Sequence, residues 1–454
     1  MDKAVQIAEK SYYFYQKCPR FIQLIIKFIY WILAVIYKII RKIYRFFKNL
    51  FFSTKKSLIE SPINEEKKYI NITNTITDRN NIIKDDYYLP KKKLKKGKLN
   101  ISWVIPLPIE GSGGHRNFYR IIRYLANDGH NVTLYVDPEN YYLNNGVYTG
   151  KDVQKFIKEK FFDLNSSIIM GLDDIKECDI LFATHYNGAY AVKANENKAK
   201  MCCYFIQDYE AYFNPMGDNF IRAYQTYKFG FYPITSGYWP LNFLKKDFGI
   251  TEGYAFKFPI NTNIYNFNGN FDNKKENQIV FFAKPNMPRR CYNLGVASLK
   301  IVKEKHPEVD IVFYGANSNE YQNVPFEFIN KGLLPTIEDL GNLYRESAIG
   351  VVFSTTNPSL VPYEMMSCGC AVVDLDFNDN IINYEDEKNI TLAEPQPEKV
   401  AEAIIGLLEN KKGRISKAKN GMNLCKSYPT EEEMCKGIED ALLKEYSRRV
   451  KYEK

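Results

Sequence analysis

The chain has no long uncharged apolar run where one would be looked for first. Within the aromatic-rich stretch 21–52 the longest such run, residues 28–37, is ten residues, about half of the roughly 20 that a spanning helix needs. Residues 1–17 are polar and aromatic, with no small-residue cleavage site after an apolar core, so no cleaved leader is expected. Histidine is scarce, at four residues, and the nine cysteines are odd in number. Cys202 and Cys203 are adjacent and Cys368 and Cys370 sit two apart, neither pair spaced like zinc ligands with a second pair downstream. Buried, reduced thiols in a cytoplasmic protein are expected instead. No zinc-finger or RNA-binding signature is present, so the net charge of +9 does not point to nucleic acid.

That basic excess is uneven. It gathers in residues 17–56 and 91–98, ahead of the first globular pattern. Arg20, Gln23 and Lys27, and then Lys38, Arg41, Arg45 and Lys48, recur three or four residues apart with Trp31 and Ala34 filling the gap, which on a helix makes one cationic stripe beside a broad aromatic face. Such a helix is expected to lie in the interface of an anionic membrane, and a core-packed helix or a coiled coil is the alternative. Residues 1–55 are thus a membrane-associating helix, and 56–97 a basic linker ending in Lys91–Lys96. The localisation this implies is peripheral, on the cytoplasmic face of the cell membrane.

From residue 98 the pattern alternates between strand and helix. An apolar strand at 101–106, a glycine-rich turn at 111–116, a helix at 118–127 and a strand at 131–136 form a βαβ unit. A second such start lies at 278–283, with a helix at 292–305 and strands at 310–314, 349–354 and 371–374. The fold class is therefore α/β, with two Rossmann-like domains facing across a cleft in the GT-B arrangement. The first spans 98–265 and the second spans 266–430. A helix at 431–454 is expected to pack back on the first domain.

Ligands of such sheets bind beyond the carboxyl ends of the strands. Three segments lie there. In the first, Gly113 and Gly114 let backbone amides approach a ligand, and His115 and Arg116 follow at the rim; a tight turn without a ligand is the alternative. In the second, Lys284, Arg289 and Arg290 follow the first strand of the second domain, where cations offset the charge of a departing diphosphate. Gly315 ends a neighbouring strand on the same rim. In the third, the amides of Ser359, Leu360 and Val361 stand at a helix start, and Glu364 in its first turn is placed to accept hydrogen bonds from sugar hydroxyls. The alternative for Glu364 is an acid favoured only by the helix dipole. Asp208 and Glu210 also follow a strand and either orient acceptor hydroxyls or tie down loops. Asp374–Asp376 has the D-x-D form of a metal site but comes after two complete halves, so no metal is expected.

Residues 358–369 resemble the E-x7-E region of the large retaining GT-B glycosyltransferase group. Together with 113–116, 204–213 and 284–290, they make the chain most similar to rhamnosyltransferases of the WsaF type, over roughly residues 98–430. The resemblance implies a retaining, metal-independent glycosyltransferase without a cofactor. Its substrates would be a dTDP-rhamnose-like nucleotide-sugar donor and a cell-surface glycan or lipid-linked acceptor. It aligns Glu364 with the second glutamate of the motif, puts Thr356 where the first belongs, and matches His185 to a cleft histidine. In that frame His115, His185, Asp208 and Glu210 are the catalytic candidates, and Gly113, Gly114, Arg116 and Tyr209 the acceptor contacts. The missing glutamate leaves a second reading open, a non-catalytic glycan- or nucleotide-sugar-binding protein.

Overall fold

The computed structural model describes residues 85–90, 93–138 and 149–452. The expected membrane-lying helix of residues 1–55 and most of the linker lie outside the described residues. Among the described residues no helix is long and apolar enough to cross a membrane.

Two all-parallel sheets organise the chain. The first contains β1 (Asn100–Pro106), β2 (Asn131–Asp137), β3 (Ser167–Met170), β4 (Cys178–Ala183), β5 (Ala199–Ile206), β6 (Tyr232–Ser236) and β7 (Tyr254–Phe256), in the order β3-β2-β1-β4-β5-β6-β7. The helices between them are α1 (Gly113–Asn127), α2 (Gly150–Lys160), α3 (Tyr186–Ala194), α4 (Asp218–Thr226) and α5 (Tyr238–Phe248). The second sheet contains β8 (Lys275–Phe282), β9 (Asp310–Tyr314), β10 (Ile329–Gly332), β11 (Ser347–Val351), β12 (Ala371–Leu375) and β13 (Thr391–Ala393), in the order β10-β9-β8-β11-β12-β13. Its helices are α6 (Tyr292–Lys305), α7 (Ile337–Glu346), α8 (Val361–Ser367), α9 (Pro397–Glu409) and α10 (Lys411–Lys426). The two Rossmann-like halves expected from the sequence are both present. In each sheet the strand order reverses once, between β1 and β4 and between β8 and β11, and that reversal opens the crevice where ligands of this architecture bind.

Local chemistry sets the element ends. The expected helix at 118–127 begins five residues earlier, at Gly113, because the Ser112 side chain caps it by accepting from the His115 amide. Gly113 and Gly114 are therefore the first turn of α1 and not a loop before it. Thr149 and Asp152 form a capping box at the start of α2. Each sheet packs on both faces, so the described residues form four apolar clusters, two per sheet.

The last helix, α11 (Glu431–Tyr452), crosses back to the first domain. Met434, Cys435, Ile438 and Leu442 enter the same core as Trp103 and Phe182. Burying such side chains stabilises by roughly 1.5–3 kcal/mol each for the larger aliphatics. Polar contacts fix the register: Glu439 accepts from Lys98 at 2.8 Å and lies 2.8 Å from His130 Nε2, and Tyr446 donates to Asp179 at 2.8 Å. The Lys98 ammonium also pairs with Asp128, so the Asp128–His130–Glu439 group already holds a cation.

Candidate active site

The loops that follow β8 and β11 lie side by side at the reversal of the second sheet. Thr355 donates its amide to the Arg289 carbonyl at 3.1 Å, which ties the two loops together. A short 3-10 turn at Pro288–Arg290 then sends the two arginines to different places. Arg290 is 4% exposed, donates to the Phe353 carbonyl at 3.4 Å, and has its basicity lowered by burial. It supports β11 from behind and is not available to a ligand, which corrects its assignment as a donor contact. Arg289 faces the junction of the domains. Its guanidinium stands 4.7 Å from the Phe213 ring and its Nε lies 3.8 Å from Asp208 Oδ2, with no hydrogen-bond partner for that nitrogen. Lys284 is half-buried, its ammonium 5.6 Å from the Phe282 ring, and burial lowers its pKa. Gly315 follows β9 with φ +106°, and a Cβ there would stand 2.8 Å from the Phe282 ring, so the close approach requires glycine.

The loop after β11 joins the two domains. Asp208, at the end of β5, accepts from Thr356 Oγ1 at 2.9 Å and from the Asn357 amide at 3.1 Å. Asn357 Nδ2 donates to the carbonyls of Gln207 at 2.8 Å and Ser236 at 2.7 Å. Asp208 also accepts from the Tyr209 amide at 2.8 Å. Burial pushes its pKa up, while Arg289 and these donors oppose the shift. Both oxygens are therefore engaged, and Asp208 is an interdomain clasp. The expectation that it faces an acceptor hydroxyl is corrected accordingly.

Past that clasp, α8 is only seven residues long. The Val361 amide is turned to Ser359 Oγ at 3.4 Å, and Leu360 sits helically before it, so of the three expected phosphate contacts Val361 is already used within the loop. Glu364 in its first turn has no hydrogen-bond partner among the described residues, and burial alone pushes its pKa up to about 7. Nearby charge couples it to Tyr265, Tyr314 and Tyr344. An unpaired carboxyl beside a ligand crevice is placed to accept from hydroxyls that arrive with a ligand.

On the first domain, His185 stands directly after β4 and begins α3. Its Nε2 lies 3.0 Å from Asp137 Oδ2 at the end of β2, leaving Nδ1 with a 3.5 Å contact to Thr184. The sequence reading did not pick out Asp137, and its only signal was its place at a strand end. His115 is not presented to the junction: it is 8% exposed, with Nδ1 2.8 Å from Ser112 Oγ and Nε2 3.0 Å from the Leu107 carbonyl. Burial lowers its pKa to about 4, as for a neutral structural histidine. Glu210 caps the start of α3 by accepting from the Tyr186 amide at 2.7 Å and from Tyr204 OH at 3.2 Å, and burial pushes its pKa up to about 7. Tyr209 is 4% exposed, packed among Tyr227 and Phe243, and is core. Arg116 stacks over Phe161 and Phe162, at 6.0 and 5.2 Å. These four are corrected from catalytic or acceptor contacts to packing and capping residues. Gly114 remains at the junction, its carbonyl taken by Gln207 Nε2 at 3.1 Å, and a Cβ on Gly113 would meet nothing within 4 Å. Asp374 is wholly buried and accepts from Ser354, Leu375, Asn380 and Tyr384, so it is a strand-end brace.

Comparison with known proteins agrees with this architecture. Residues 277–405 match the family described as the C-terminal domain of WsaF. The O-antigen biosynthesis protein RfbC of Myxococcus xanthus is 33% identical over 227 residues, which are 48% of this chain and 17% of that protein, so the chain spans about a sixth of that relative's length. Among solved structures, Anabaena HepE in complex with UDP superposes with a TM-score of 0.58 at 13% identity, covering 76% of this chain and 99% of that one. Sucrose-phosphate synthase from Thermosynechococcus elongatus gives 0.54 at 13% identity, over 77% and 100%. The second domain is thus similar in sequence to the C-terminal domain of WsaF, and the fold of the two sheets is that of these solved structures.

Proposed function

We propose that the protein is a metal-independent, retaining glycosyltransferase of polysaccharide assembly. It would move a sugar, rhamnose or another deoxyhexose, from a nucleotide-diphosphate donor to a growing cell-surface glycan, lipid-linked at its far end. The observation that carries this reading is the set of three polar groups at the reversal of the second sheet: Arg289, whose Nε makes no hydrogen bond, half-buried Lys284, and Glu364. The cations offset the charge that develops on the diphosphate as the glycosidic bond breaks. Glu364 accepts from the nucleotide's sugar. His185, held by Asp137 through Nε2, is the remaining catalytic candidate of the first domain. The WsaF profile, the O-antigen name of the Myxococcus relative and the UDP in the Anabaena structure support the reading.

The engagement of both Asp208 and Glu210 within the protein favours the second reading, a nucleotide-sugar-binding protein without turnover. A radiolabelled panel of nucleotide sugars, incubated with the full chain and membrane-derived acceptors, separates the two. The transferase reading expects nucleotide release that Glu364→Ala and Lys284→Ala each reduce at least 100-fold. Wild-type turnover in both variants would overturn the site, and binding without release across the panel would favour the second reading.

A further inference from the structure

The amino-terminal end of the first sheet carries a feature that the cleft does not use. Strands of a parallel sheet covered on both faces read as near-continuous apolar runs. On β1, β2 and β3 one face obeys this: Ile101, Trp103, Val132, Leu134, Ile168 and Met170 all join the core that α11 completes. The alternate positions on the opposite face are Asn100, Ser102, Asn131, Thr133 and Ser167. Strand register aligns Asn100 with Asn131, and Ser102 with Thr133 and Ser167, so a row of amides lies beside a row of hydroxyls. The next row, Val104, Tyr135 and Ile169, is apolar again and closes the patch.

This patch floors a cavity of about 390 Å³, within the range of small-ligand sites. One side is the strap 85–90, whose Tyr87 pairs with Ile168 and whose Leu89 amide donates to Ser167 Oγ at 3.0 Å. The rim is acidic, with Asp86, Asp173, Asp174 and Glu177 against Lys176. Tyr88, 66% exposed, stands at the mouth with its hydroxyl bonded to Asp86 at 3.0 Å.

We propose that this cavity binds a neutral, polyhydroxylated carbohydrate. Amides and hydroxyls both donate and accept, as sugar hydroxyls do, and the carboxylates of Asp173 and Glu177 at the rim accept from them. The floor groups already partner one another and the strap, Asn131 Nδ2 donating to Asn100 Oδ1 at 3.2 Å and Ser167 Oγ accepting from Leu89, and only a polar occupant adds to their hydrogen bonds. A phosphate or nucleotide would meet the acidic rim. A polycation finds no counter-charge on the floor, and Asp86 and Asp174 at the rim are already engaged, by the Met170 amide and by Lys176. The apolar face of a pyranose has the Tyr88 ring to lie on. The floor lies at the amino-terminal ends of β1, β2 and β3, and the rim reaches Gly171, Asp173 and Asp174 beyond β3. Identifying the bound sugar as an earlier portion of the acceptor glycan rests on the transferase reading; the carbohydrate site itself does not.

Saturation-transfer difference NMR on the full chain tests this, with maltotriose and methyl α-L-rhamnopyranoside as probes and dTDP and UDP as controls for the cleft. Ring-proton signals from a sugar probe are expected in wild type. They should fall at least fivefold in Thr133→Trp, which fills the cavity, and in Tyr88→Ala, which removes an exposed platform, with nucleotide signals unchanged. If Thr133→Trp also loses nucleotide binding through misfolding, Tyr88→Ala decides. No sugar signal, or one undiminished in Tyr88→Ala, overturns the proposal. Sugar signals that respond as expected while neither nucleotide binds would leave the cavity site standing and remove the transferase reading.

Discussion

Thr356 stands where the resemblance expects a glutamate, and its contact gives a physical reason for the exchange. Its hydroxyl donates to Asp208 across the domain junction at 2.9 Å. A glutamate there would set a second carboxylate against one that is already buried and raised in pKa by that burial. We predict that Thr356→Glu lowers stability by roughly 2–3 kcal/mol, the cost of leaving a buried charged acceptor without its donor, and that adding Asp208→Asn recovers most of it. Denaturant midpoints of the two variants check this, and an unchanged midpoint in the single variant would contradict the clasp. Glu364 gives a pH-dependent case. Burial holds its pKa at about 7 in the fold, against an ordinary value of 4.5. The fold therefore favours the neutral carboxyl, and its contribution is fully present below pH 4.5, declines as pH rises towards 7 and stays lost above. Glu364→Gln should then stabilise the ligand-free protein at pH 8, by roughly 1–3 kcal/mol, and have little effect at pH 4. Equal shifts at both pH values in thermal unfolding would show that the carboxyl is solvated.

At the scale of elements, the central strands were legible because apolar runs and turn residues mark them directly, whereas β3, β6, β7, β10 and β13, three to five residues each, were not. The rim positions were legible for the same reason: whatever follows a strand of such a sheet lies at its carboxyl edge, and Lys284, Arg289, Gly315 and Glu364 are found there. Side-chain direction was not legible. Arg289 and Arg290 are adjacent in sequence, and only the 3-10 turn between β8 and α6 decides that one faces the junction and the other backs β11. His115 looked like a rim residue because Gly113 and Gly114 read as a loop; once Ser112 caps α1 there, the histidine turns inward to Leu107. Tyr209 and Glu210 follow a strand, but an aromatic cluster and an uncapped helix start claim them first. The return helix α11 is where packing matters most for its length. Ile438→Ala empties a fully buried position between it and the first sheet, and should cost about 2–5 kcal/mol. A loss under 1 kcal/mol in urea denaturation would mean that α11 is not part of that core.

At the scale of the whole molecule, the two sheets meet through Asp208, Gln207 and Ser236 on one side and Thr356 and Asn357 on the other, and Trp239 Nε1 adds a 2.6 Å bond to the Asn378 carbonyl. The donor groups therefore sit next to the point where the domains touch, and Arg289 lies within 3.8 Å of the clasp itself. The cationic, aromatic stretch 21–52 motivates a further proposal, that this two-domain body is held peripherally on an anionic membrane surface. Removing residues 1–55 is expected to release the protein from vesicles containing phosphatidylglycerol while leaving nucleotide affinity within twofold; full retention on the vesicles in a flotation assay would refute that anchor. The claim on which the functional account depends is narrower, that Lys284 and Arg289 grip a nucleoside diphosphate. Calorimetric titration of dTDP and of UDP into the full chain, into Lys284→Ala and into Arg289→Ala measures it directly. The account predicts that at least one nucleotide binds wild type and that each substitution weakens it tenfold or more, about 1.4 kcal/mol. Equal affinity in all three proteins, or no binding of either nucleotide, would contradict it.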